Sequence, residues 1–244
     1  MWQACKEINA IKTQKMIHHE NNKARAHIRE IVFGMQDGMV STLGALTGIA
    51  VGTNDYFTVI LSGIVLIVVE SISMSIGSFT SSGTERDTHE RLLREEHTEI
   101  VEFPQEEEEE LRLMFIQDGW PRELAREMSR TASQNKDLML REMAYRELNI
   151  PIGKPVQPLR NGVYMFGAYI AGGLIPLVPY FILSIGPGLY ASIGFTLAGL
   201  FVLGAATSKV THRHWAASGL TMLILGSVAL SAGYLIGKAA QIMQ

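Results

Sequence analysis

The run from Phe57 to Phe79, FTVILSGIVLIVVESISMSIGSF, constrains this chain more than any other feature. It is long enough to cross a bilayer, and a lone segment in lipid satisfies its backbone polar groups only as a helix. Yet Glu70 stands inside it. An ionisable residue at that depth costs roughly 2.5–3.5 kcal/mol on insertion scales, so it persists where it lines a pathway or pairs with another group. Met74 follows one helical turn later on the same face. Carboxylate oxygen suits hard cations and sulfur favours softer ones, so Glu70 and Met74 together offer a way-station for a transition-metal cation. The plainer alternative is a glutamate paired with a polar neighbour at a helix contact.

Five stretches have spanning length: residues 31–52, 57–79, 162–184, 188–207 and 215–237. Between the second and third lies a polar block, 83–160, holding 18 of the 24 acidic and 12 of the 21 basic residues. The expected fold is an all-α membrane protein of five transmembrane helices with a soluble helical insertion between helices 2 and 3. Its segments are an N-terminal polar stretch (1–30), helices 1–2 (31–82), the insertion (83–160) and helices 3–5 (161–244). Lys and Arg concentrate in residues 1–30, in the insertion and at Lys209 and Arg213, while the connections at 53–56 and around Gly186-Pro187-Gly188 carry none. That bias places the N-terminus and the insertion in the cytoplasm and the C-terminus outside. The first thirty residues are polar and basic, unlike a secretory signal. A single cysteine, Cys5, excludes an intrachain disulfide and a multi-cysteine metal site. The net charge of −3 understates the insertion, whose local balance of −6 favours cations over nucleic acid as partners.

Helix 1 carries Asp37, Ser41, Thr42 and Thr47 among five glycines, and the spacing of Gly44, Gly48 and Gly52 suits close helix contact, with another subunit as one possible partner. The alternative for Asp37 is a seat in the headgroups. Helices 3–5 contain no Asp or Glu, so an ion path is expected along helices 1 and 2, where Ser71, Ser73, Ser75 and Ser78 surround Met74. Pro176, Pro179 and Pro187 read as kinks or ends.

From Thr84 to Val101 nothing breaks a helix, so helix 2 is expected to run straight on until Pro104 stops it. A second helix begins with Glu106 to Glu110 in its first turns, a third follows Gly119-Trp120-Pro121, and a fourth runs through DLMLREMAYREL to Asn149-Ile150-Pro151. Glu96 and Glu99 are spaced i,i+3 on the outgoing helix, and Glu107 and Glu110 on the returning one. If the two pack antiparallel, four carboxylates converge, and Met139 and Glu142 offer a further i,i+3 pair from the last helix. The competing reading is an ordinary solvated acidic face. Like charges stacked at helical spacing destabilise a helix unless a cation neutralises them, which favours metal. No E-x-x-H pair occurs in the insertion, which argues against a ferritin-like di-iron centre.

The motifs DGMVST (37–42) and SMSIGSFTS (73–81), the segment HHENNKARAH before helix 1, the glutamate-rich insertion and the glycine-rich second half together resemble the vacuolar iron transporter family, over nearly the whole chain from His18 onward. The resemblance implies a five-span protomer, a homodimer with its pathway at the two-fold axis, and proton-coupled export of Fe2+ and related divalent ions from the cytosol. It puts the family's pathway acid on Asp37 and its helix 2 methionine on Met74. Its metal-binding insertion falls on Glu96, Glu99, Glu107, Glu110, Met139 and Glu142, with Glu95, Glu102 and Glu106 as substitutes in register. Many members carry a glutamate where this chain has Ser78, and Glu70, two turns earlier, is expected to take over its role.

The leading expectation is a secondary transporter exchanging cytosolic Fe2+, or Mn2+, Co2+ or Zn2+, for protons, with no prosthetic group and no enzymatic activity. It is expected in a bacterial or archaeal plasma membrane, or in a vacuolar membrane if the source is eukaryotic. The alternatives are a membrane-anchored metal sensor or buffer, for which a plain anchor needs neither Asp37 nor Glu70, and an intramembrane aspartyl hydrolase, which only the existence of two acids supports.

Overall fold

The structure, a computed structural model, describes residues 27–151, 156–211 and 213–242; Cys5 and almost all of the N-terminal stretch lie outside them. The described residues form eight helices: α1 (Ile28–Thr53), α2 (Tyr56–Glu102), α3 (Pro104–Gln117), α4 (Arg122–Ser133), α5 (Lys136–Arg146), α6 (Pro158–Ile182), α7 (Ile185–Thr211) and α8 (Trp215–Ile242). They fall into two compact units. The first combines α1, the N-terminal part of α2 and α6–α8; the second is Thr80–Pro158.

Local chemistry sets the boundaries. Asn54 ends α1 in the left-handed region (φ 49°), and its N–H returns to the Ala50 carbonyl at 3.1 Å. Asp55 then caps α2 by accepting from the Thr58 N–H at 2.7 Å and the Thr58 hydroxyl at 2.6 Å. No proline interrupts α2 for its 47 residues, and it stops two residues short of Pro104, which becomes the first residue of α3. The Asn135 side chain caps α5 by accepting from the N–H groups of Asp137 and Leu138. Pro176 and Pro179 lie inside α6 rather than at its end, and the Ser192 hydroxyl of α7 donates to the Pro176 carbonyl at 2.7 Å.

Four helices, α2, α6, α7 and α8, are long and apolar enough to cross a membrane. The 26-residue α1 is not among them, although five stretches of the sequence have spanning length. Asp37, the hydroxyls and the glycines lower its hydropathy. Many of them are buried against other helices rather than set toward lipid: Gly34, Gly38, Thr42, Gly44, Thr47 and Gly52 are all buried.

In the first unit glycine determines how near the helices come. A methyl on Gly44 would stand 3.1 Å from the Ala229 carbonyl, one on Gly48 2.9 Å from that of Gly233, and one on Gly52 3.4 Å from that of Gly237. The small-residue stripe of α1 is therefore occupied by α8 of the same chain. This corrects the idea that its partner is another subunit: the small residues of α8 at 229, 233 and 237 supply the complementary stripe within one chain. On another face α6 crosses α1, where a methyl on Gly38 would meet the Tyr169 carbonyl and come within 2.9 Å of the Gly173 nitrogen. Leu46, Ala50, Val59, Ile67, Leu177 and Tyr180 form the apolar core between α1, α2 and α6. The second unit packs Ile100 of α2 with Leu111, Phe115, Ala125, Ala132, Met139 and Met143.

Candidate metal centres

The first unit brings two of its acids together where α1, α2 and α6 meet. Asp37 on α1 and Glu70 on α2 lie within electrostatic reach of each other and of the Tyr169 hydroxyl on α6. The Ser41 hydroxyl donates to the Asp37 carbonyl at 2.7 Å and lies 2.7 Å from the Tyr169 oxygen. Met74 is half-buried one turn beyond Glu70. The nearby serines of α2 are partly committed, since Ser71 donates to the Val68 carbonyl and Ser75 to that of Gly162, both at 2.9 Å. Among the described residues neither Asp37 nor Glu70 has a salt-bridge partner.

In the second unit the end of α2 and the start of α3 bring Glu96, Glu99, Glu107 and Glu110 together, and Glu147, just past α5, joins them. Glu96 is 3% exposed and Glu107 7%. One oxygen of each, Glu96 Oε1 and Glu107 Oε2, is buried with no hydrogen-bond partner. Burial, and then the charges of Glu147 and Glu107, push Glu96 up to about 8. Burial, and then the charges of Glu110 and Glu99, raise Glu107 to about 7. Glu147 is raised too, by burial and then by Glu110, while its carboxylate accepts a hydrogen bond from protonated Glu96. Three other acids of the same helices are engaged elsewhere. Arg91 holds Glu95 at 2.8 Å, Arg112 holds Glu109, and Ser133 donates to Glu108 at 2.6 Å. Among the described residues, no group of three or more His, Cys, Asp or Glu is placed so as to hold a metal ion as it stands. What is present is a pair of buried acids, Glu96 and Glu107, each with one unsatisfied oxygen, ringed by the exposed carboxylates of Glu99, Glu110 and Glu147.

A model of the VIT family matches residues 28–238. The chain belongs to the VIT family. It is 26% identical to vacuolar iron transporter 1 of Arabidopsis thaliana over 232 residues, covering 93% of each chain. It is 26% identical to vacuolar iron transporter 1 of Tulipa gesneriana (88% of this chain, 87% of that one) and 28% identical to the vacuolar iron transporter of Plasmodium falciparum (90% and 85%). Membership of the VIT family makes the chain a transporter rather than an enzyme.

Within this VIT-family chain the acids read from sequence are treated unequally. Glu96, Glu99, Glu107 and Glu110 come together, with Glu96 and Glu107 buried and Glu99 and Glu110 exposed; Glu102 and Glu106 are exposed as well, with Glu106 adding to the field at Glu107. Glu142 instead accepts from Arg146 at 3.2 Å, and that guanidinium also pairs with Asp118 and lies 4.3 Å over the Phe115 ring. Met139 is packed in the apolar core. Glu147 and Tyr169 were missed. Met143 and Glu147 share an i,i+4 face of α5 and its cap, a spacing the sequence displays as plainly as that of Met139 and Glu142. Nothing in the sequence singles out Tyr169, because its position depends on the glycine crossing of α6 and α1.

Proposed function

We propose that this protein exports Fe2+, and also Mn2+, Co2+ or Zn2+, from the cytosol in exchange for protons. Asp37, Glu70 and Met74 form the membrane pathway in a five-span protomer. The observation that carries this reading is the meeting of Asp37 and Glu70 from two helices inside the first unit. Two acids brought together at insertion cost are explained by a cation or proton that they share. A carboxylate there holds either a metal or a proton, so an opposing pH gradient drives metal out. The iron in the relatives' names supports the cargo, and the distribution of Lys and Arg supports a cytoplasmic N-terminus and insertion.

The insertion captures cytosolic cations with Glu96, Glu99, Glu107 and Glu110, to which we add Glu147. The protomers pair as a homodimer, the pathway of one facing that of its partner. Two carboxylates and a thioether are fewer ligands than a divalent ion takes, and α2 carries an outward apolar ridge (Leu61, Val65, Val68, Ile72, Ile76) on which a second copy can pack. The test is flux of Fe2+, Mn2+, Co2+ and Zn2+ into proteoliposomes under imposed pH gradients. Metal binding without flux would leave a membrane-anchored buffer in its place.

A further inference from the structure

The end of α5 carries two neighbouring charged side chains that engage different helices. Arg146 pairs with Asp118, which caps the C-terminal end of α3, and its guanidinium lies over the ring of Phe115, also on α3. That side chain is only 16% exposed. Glu147, the next residue, hydrogen-bonds with Glu96 of α2 and stands in the field of Glu110 and Glu99. The backbone joining the two is fixed. The Glu147 N–H returns to the Met143 carbonyl at 2.8 Å, and beyond it Asn149 takes the left-handed region (φ 53°) while the Ile150 N–H reaches the Ala144 carbonyl, also at 2.8 Å. Any rotation of this turn about the axis of α5 therefore moves Arg146 and Glu147 together.

Met139 and Met143 seat α5 in the apolar core, but apolar attraction is non-directional and sets the depth of an 11-residue helix better than its rotation. A guanidinium fork on a carboxylate, with its plane over an aromatic ring, is directional. Glu142, the other partner of Arg146, lies on α5 itself and adds nothing to the hold on α3. The charges that act on Glu96, Glu107 and Glu147 are those of neighbouring carboxylates, so Arg146 is not the counter-ion of the cluster. We infer that Arg146 is a positioning residue for cation capture: by tying the last turn of α5 to Asp118 and Phe115 of α3, it holds Glu147 at Glu96, so that carboxylates from α2, α3 and the end of α5 are in place before a divalent cation arrives. This inference rests on the reading of the insertion as the site of capture and adds to it the residue that sets the geometry.

The test is calorimetric titration of the purified full-length protein with Mn2+, at one pH, in Arg146→Met, Glu147→Gln and the double variant. Methionine keeps a long apolar stem over Phe115 and removes only the charged fork. Because Arg146 acts through Glu147, its loss cannot cost more than the loss of Glu147 itself. Affinity is expected to fall about fivefold in Arg146→Met and about tenfold in Glu147→Gln, and the double variant should bind within about twofold of Glu147→Gln alone. A clamp that only stabilised the fold would lower thermal stability without this dependence on Glu147. Binding by Arg146→Met as tight as wild type, or losses that multiply in the double variant, overturns the positioning role. Wild-type binding by both Glu147→Gln and Glu96→Gln removes the capture reading, and the positioning role with it, whereas a loss confined to those two overturns the positioning role alone. Should Arg146→Met fail to fold, Asp118→Asn breaks the same tie from the exposed side. It should weaken binding by a smaller factor that again vanishes in the Glu147→Gln background, and a loss that persists there overturns the proposal.

Discussion

In the first unit two carboxylates, Asp37 and Glu70, come from α1 and α2 and meet beside a buried tyrosine, while in the second five, from α2, α3 and the end of α5, crowd into a cluster in which the buried Glu96 and Glu107 are pushed up to about 8 and about 7. The first pair depends on backbone proximity, because glycine lets α6 and α8 lie against α1 and the acid positions follow. The second depends on sorting. Arg91, Arg112 and Arg146 engage Glu95, Glu109 and Glu142, and the acids that face one another are among those these arginines leave unpaired. A carboxylate is thus prepared for a cation in two ways, by a scaffold that leaves it without a counter-ion and by neighbours that engage the arginines of its own helices.

The largest effect is expected where only the first arrangement is touched. Gly48→Leu drives a side chain into the Gly233 backbone and should destabilise the first unit by about 3 kcal/mol or more, since the neighbouring atoms are main chain and cannot rotate away. Thermal unfolding and size-exclusion chromatography of the purified protein check this. A variant that stays fully stable but becomes monomeric would show that the stripe serves contact between subunits instead.

Glu70→Gln comes next. The amide keeps the shape and removes part of the roughly 2.5–3.5 kcal/mol cost of a charge at that depth, so stability should hold or rise while proton-coupled flux drops to the level of empty liposomes. Wild-type flux with the same pH dependence in this variant would reduce Glu70 to a packed polar residue. Metal binding by the insertion should be unaffected, which separates the two regions experimentally.

The insertion should respond to pH in a window of its own. Glu96 and Glu107 titrate near 8 and 7 in the folded protein against an ordinary value of 4.5. Between those limits the native state binds more protons than the unfolded one, so these groups stabilise the second unit fully below about 4.5, and their contribution is lost as pH rises through 7 and 8. A divalent cation replaces the protons and should restore stability at the alkaline end. Metal affinity should accordingly strengthen from pH 6 to pH 9, with protons released on binding. Calorimetry in buffers of different ionisation enthalpy measures that release; binding that is independent of pH over this range contradicts the cluster. Glu96→Gln with Glu107→Gln should flatten the pH profile.

What the sequence displayed was whatever depends on spacing along one helix. The apolar runs, the uninterrupted α2, the stop at Pro104 and the i,i+3 glutamates were all legible, because each follows from local rules of helix geometry. The acids of α2 and α3 were found since one sharp turn at Phe103 is enough to bring them together. The partner of the Gly44–Gly48–Gly52 stripe was not legible: a small-residue face announces close contact but not with whom, and α8 is remote in the chain. Tyr169 escaped for the same reason. The low hydropathy of α1 marks a helix whose polar groups are covered by protein, which an apolar-run reading counts simply as a weaker span.

The smallest expected effect tests the sorting most directly. On α5 the acid chosen from spacing, Glu142, is held by Arg146, whereas Glu147 stands in the field of Glu96, Glu99 and Glu110. Glu142→Gln removes an ion pair that is only partly buried, worth about 1 kcal/mol or less, and should leave metal affinity within about twofold of wild type. Glu147→Gln removes a negative charge from the cluster and the acceptor of the Glu96 proton. It should weaken binding about tenfold, the scale at which even outer-sphere partners of a metal act. It should also let Glu96 titrate lower, because one of the charges opposing its ionisation is gone. Calorimetric titration of both variants with Mn2+ at one pH reads the difference. Equal losses in the two would mean that Arg146 releases Glu142 when metal arrives, and the sorting inferred from the salt bridges would then describe only the metal-free state.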